Sequence, residues 1–125
     1  MRKSSGFTLI ELLVVLAIIA ALLAIAAPRY FTSLDRARES ALRETLFVMR
    51  DAIDKYHGDT GRYPENLNEL IDKRYLRKLP PDPVTESTDT WIVVMPPAGG
   101  AGGQVYDVKS GAPGEGSDKT PYADW

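Results

Sequence analysis

One carboxylate interrupts an otherwise uncharged apolar run: Glu11, within residues 7–27. Ionised groups deep in a lipid-like environment cost about 2.5–3.5 kcal/mol on insertion scales, less near a helix end, so an acid there asks for a cation. The only cations nearby in this chain are Arg2 and Lys3. A second concentration of oxygen lies near the other end, where Asp107, Ser110, Glu115, Ser117, Asp118 and Asp124 sit in a Gly-rich stretch. Hard oxygen donors of this kind suit calcium, which takes about six to eight of them in flexible geometry. The spacing is not that of an EF-hand, and the alternative is a solvated acidic loop. Other chemistries are excluded outright. There is no Cys, hence no disulfide and no thiolate metal site. The one His, His57, is too few for a His-based zinc centre, and a Ser-His-Asp triad could use only that imidazole. A carboxylate hydrolase on the tail would need a cleft that so few residues do not build. A net charge of −2, from 15 basic and 17 acidic residues, gives no footprint for nucleic acid. What remains is a structural or binding role.

The elements that must position these residues are legible in the patterning. At 125 residues the chain holds one small folded domain besides any spanning segment. As a helix, residues 7–27 would be roughly 31 Å long, about the thickness of a bilayer core. The segment is longer than the roughly 7–15 apolar residues of a cleaved secretory signal, and apolar all round, unlike a soluble core helix. Beyond Arg29 the pattern turns amphipathic: Leu42, Leu46, Met49, Ile53 and Tyr56 recur at steps of four and three, predicting one buried face, with Arg43, Glu44, Arg50, Asp51, Asp54 and Lys55 mostly solvated. The helix should begin at Phe7 and end near Gly58, with His57 favourable to the helix dipole at its C-terminus. Gly61 to Pro64 reads as a turn, and 66–73 as a short helix opened by Asn66 with Glu69 three residues on. Three prolines between Leu79 and Pro83 make a rigid loop. Residues 91–95 and 104–108 read as the strands of a hairpin around a Gly/Pro-rich turn, packed on the long helix. Residues 110–125 read as an ordered loop, given Tyr122 and Trp125 to bury. Charge is uneven: residues 79–125 carry seven acids against two bases, a local net of −5.

The stretch Arg2-Lys3-Ser4-Ser5-Gly6-Phe7-Thr8-Leu9-Ile10-Glu11-Leu12 resembles the N-terminal signature of type IV prepilins and type II secretion pseudopilins. The order of long helix, Gly-Arg-Tyr-Pro turn, short helix, hairpin and acidic loop ending in Asp124-Trp125 is most similar to the major, G-type pseudopilin. The resemblance implies an α+β, type IV pilin-like fold: a leader over 1–6, a transmembrane or filament-core helix over 7–28, and a periplasmic globular domain over 29–125. It implies cleavage between Gly6 and Phe7 by a prepilin peptidase and N-methylation of Phe7. The basic leader then stays cytoplasmic, giving a single-pass protein of the bacterial inner membrane. It gives Glu11 a partner, the new Phe7 amine of a neighbouring subunit, and puts Pro28 near a kinked or melted stretch of the helix. The implied work is a helical homo-oligomeric filament that drives protein export, with an inner-membrane assembly platform and minor pseudopilins as partners and no catalysis. The family binds Ca2+ in its C-terminal loop, implying Asp107, Ser110, Ser117, Asp118 and Asp124 as ligands. Where the family has Gly-Ala-Asp-Gly, however, this chain has Gly111-Ala112-Pro113-Gly114. A type IV pilin of adhesion or motility and a minor pseudopilin are the alternatives. The first usually carries a C-terminal disulfide loop, which zero Cys forbids.

Overall fold

The computed structural model describes residues 5–98, 100 and 102–125; Arg2 and Lys3 of the expected leader, and Gly99 and Ala101 of the hairpin turn, lie outside the described residues. The architecture is α+β. A helix α1 (Leu9–Thr60) is followed by α2 (Leu67–Asp72), strands β1 (Trp91–Val94) and β2 (Asp107–Ser110), and a single 3-10 turn, Tyr122–Asp124. The chain divides into two compact units, one up to Asp35 and one from Arg36 to Trp125.

In the first unit the described side chains are almost uniformly exposed, from Phe7 and Leu9 to Ile25 and Phe31. Its helix begins at Leu9, two residues later than expected, because Thr8 acts as the cap. Of the kinked or melted stretch expected at Pro28, the melted form is absent, since the helix runs unbroken through it. Proline withholds its N–H from the Ala24 carbonyl and crowds that carbonyl with its ring; one turn on, the Thr32 hydroxyl donates to the Pro28 carbonyl at 3.0 Å.

The second unit has one core. The expected face of α1 is buried in full, and Ala52 joins it. Onto it pack Leu70 of α2, Leu76, Trp91 of β1, Val105 and Val108. Asn66 caps α2 by accepting the Glu69 N–H at 2.9 Å. The Glu69 carboxylate turns back to accept from the Tyr56 hydroxyl at 2.5 Å, the Glu65 N–H at 2.7 Å and Arg62 Nη2 at 2.9 Å. These bonds hold the carboxyl below its ordinary value, with the Tyr56 hydroxyl the largest cause, and raise the Tyr56 hydroxyl in turn. α2 is thereby tied to α1 by the Tyr56–Glu69 hydrogen bond as well as by Leu70.

The sheet is a two-stranded antiparallel pair with Trp91 opposite Ser110 and Val94 opposite Asp107. β2 therefore lies three residues beyond the start expected from alternation. Val105 and Val108 are both fully buried although three apart, which a period of two forbids. The chain resolves this by pairing elsewhere first: the N–H groups of Gln104 and Val105 both donate to the Pro64 carbonyl at 2.9 Å, and Tyr63 N–H donates to Gly102. Gly103 permits the approach, at φ 87° and with the Tyr63 oxygen 2.0 Å from where a Cβ would stand. β1 stops at Val94, short of the expected Met95; Pro96 follows and can give no ladder donor. The proline loop is pinned from inside by Asp82, fully buried, whose carboxylate accepts the N–H groups of Val84 and Thr85 and the Ser110 hydroxyl.

Candidate functional site

The N-terminal site is built on the first turn of α1. Thr8 and Glu11 form a reciprocal capping box: the Glu11 N–H donates to Thr8 Oγ1 at 3.1 Å, and the Thr8 N–H donates to Glu11 Oε2 at 3.2 Å. Two of the N–H groups that a helix start leaves without partners are satisfied this way, which matters most where no water can serve them. The box has a second effect. It points the Glu11 carboxylate back along the chain, to within one residue of the Phe7 nitrogen. Sequence reasoning gave Glu11 a role but passed over Thr8, although the signal was present as T-x-x-E ahead of an apolar run.

Gly6 and Phe7 precede the helix in irregular, exposed chain. A Cβ added to Gly6 would meet nothing within 4 Å, and its φ is not in the left-handed region. The fold therefore makes no demand for glycine at this position. If the residue matters, the demand comes from something that acts on the chain. Behind this head, α1 is long and apolar enough to cross a membrane, and its most apolar stretch is not buried.

The expected calcium donors do not converge. Among the described residues no group of three or more His, Cys, Asp or Glu could hold a metal ion. Asp107 pairs with Arg50 Nε at 2.9 Å and accepts the Val108 N–H. Ser110 is buried and donates to Asp82. Asp118 pairs with Arg43 at 3.0 Å and accepts both the N–H and the hydroxyl of Thr120. Those bonds, the Thr120 hydroxyl first, hold its carboxyl below the ordinary range. Ser117 gives its N–H and hydroxyl to Glu39 at 2.6 and 2.7 Å. Asp107, Ser110, Ser117 and Asp118 are thus each engaged by protein partners, and Asp124 lies in the 3-10 turn. His57 lies in the last turn of α1, as expected, and stacks on Tyr63 at 4.2 Å.

Comparison with known proteins agrees with the N-terminal geometry. Residues 1–27 match the family model described as the prokaryotic N-terminal methylation motif. The type II secretion system core protein G of Pseudomonas aeruginosa is 33% identical over 98 residues, covering 66% of this chain and 69% of the relative. The chain belongs to the core protein G family of type II secretion systems. The Escherichia coli core protein G is 26% identical over 140 aligned positions, spanning 98% of this chain and 92% of the relative. Similarity to the type IV major pilin protein PilA of Myxococcus xanthus is confined to 68 residues, 35% identical, which cover 31% of that relative. No solved structure matches significantly. Core protein G membership and the long apolar N-terminal helix are consistent with a membrane-anchored, non-enzymatic subunit of pilin-like fold.

Proposed function

We propose that this chain is the major structural subunit of a type II secretion pseudopilus. It is cut between Gly6 and Phe7 by a prepilin peptidase and methylated on the Phe7 amine. Residues 7–28 lie in the bacterial inner membrane until assembly, and residues 29–125 face the periplasm. Assembly moves the apolar helix out of lipid and into a helical filament, on an inner-membrane platform and with minor pseudopilins, and growth of that filament drives export. The observation that carries the reading is the head of α1: a carboxylate held by a capping box beside the new N-terminus, on a helix whose large apolar residues from Leu9 to Ile25 stay exposed among the described residues. Such a surface is stable only in lipid or against other copies of itself.

Charge decides which neighbour fits. Within an apolar filament an unpaired carboxylate or amine is costly, while the pair attracts strongly. A subunit arriving in the wrong axial register would leave both unpaired, so the Glu11–Phe7 match favours one register. Glu11→Leu tests this. The variant should be cleaved and inserted as before, since a buried charge has been removed, yet filaments recovered from cells should be lost. Filaments in wild-type amounts from Glu11→Leu would refute the pairing.

A further inference from the structure

The C-terminal segment from Glu115 to Trp125 is strapped to one side of α1 by three side chains at steps of four and seven, Glu39, Arg43 and Arg50, which share a helix face. Glu39 takes both donors of Ser117. Arg43 reaches Asp118 with one nitrogen and lays its guanidinium 4.0 Å over the Trp125 ring. Arg50, 34% exposed, serves three acceptors at once: Asp107 Oδ1 at 2.9 Å, the Val108 carbonyl at 3.0 Å and the Trp125 carbonyl at 2.6 Å. The Trp125 indole N–H closes the segment on itself through Thr120 Oγ1 at 2.7 Å. Trp125 also lies so close to Gly116 that a Cβ there would stand 2.2 Å from the ring.

We infer that Arg43 and Arg50 do in this chain what a bound divalent cation would otherwise do: they hold the acidic C-terminal segment on α1, so that the folded domain needs no metal. Two guanidinium groups bring the same +2 as one calcium ion, but on fixed stems and with directed N–H donors. They pair with two of the seven acids that give residues 79–125 their net −5. The oxygens they bind, on Asp107 and Asp118, are two of those a calcium ion would require. The proline at position 113 fits the same account, since a lost ligand costs nothing where no ion is held.

The test uses the full chain in detergent micelles and reads the folding of a single subunit, so it stands or falls apart from filament assembly. Melting is followed in millimolar calcium and in chelator, and calcium alone is titrated calorimetrically. The two melting curves should coincide and the titration should show no binding heat. A site filled a hundredfold over its dissociation constant would instead raise the midpoint by roughly 10–20 °C, and that shift would overturn the inference. Hydrogen exchange over residues 115–125 gives a second reading. Arg50→Met and Arg43→Met should each speed it about tenfold or more through local opening, and calcium should not restore protection. Unchanged exchange in both variants, or slowing of wild-type exchange by calcium, would equally refute the clamp.

Discussion

Replacing Leu46 by Ala removes three carbons from a side chain that is 2% exposed and sits in the middle of the buried face of α1. Its neighbours on that face, Leu42 and Met49, are themselves fully buried and held by the sheet and α2, so the space cannot close freely. Buried Leu→Ala changes cost about 2–5 kcal/mol, the transfer of the lost atoms plus the cavity they leave. The unit from Arg36 to Trp125 is about 90 residues, for which a total stability of roughly 5–13 kcal/mol is ordinary. A loss near 3 kcal/mol would lower the midpoint of this fragment by roughly 12–24 °C. The control is the adjacent residue. Phe47 is larger but 66% exposed, and Phe47→Ala on the same helix turn should change stability by only about 0.5 kcal/mol, the ordinary scale for surface changes. Thermal unfolding of a fragment spanning Arg36–Trp125, followed by circular dichroism, reads both. An unmoved midpoint for Leu46→Ala, or equal losses for the two variants, would show that the buried face has been drawn on the wrong side of α1.

Gly6→Val should leave the fold untouched, since a Cβ there meets nothing, yet block processing. Intact mass should then show the leader retained, whereas wild type should begin at Phe7 and keep 119 of its 125 residues. Thr8→Val removes the hydroxyl that caps the Glu11 N–H; assembly should fall while cleavage persists, and undiminished filament yield would remove Thr8 from the site. Acid should destabilise the domain partly through Glu69. Its folded carboxyl lies below the ordinary 4.5, chiefly because of the Tyr56 hydroxyl, so its contribution is present above that value and is lost as pH falls through the folded one. Tyr56→Phe should flatten the fall of stability with pH on the acid side of 4.5, measured by urea unfolding; an unchanged slope would mean the bond carries no linkage.

The elements written by local pattern were readable from the chain alone. The apolar run, the single acid within it, the steps of four and three along α1 and the Asn66 cap each act within a few residues, where periodicity and capping chemistry decide the outcome. The same is true of T-x-x-E at Thr8 and Glu11, a capping pattern complete within four residues. Contacts between distant segments decided what remained. β2 begins at Asp107 because Pro64, some forty residues earlier in sequence, takes the donors of Gln104 and Val105. Asp82 reads as one more loop acid until the fold buries it against Ser110. Arg43 and Arg50 read as solvated charges on the polar side of an amphipathic helix, and the acids of the tail read as metal ligands or as a solvated loop. Only when the chain folds back is each the other's counter-ion, because a charge takes whichever partner the packing brings within reach, and spacing along the sequence does not record that distance.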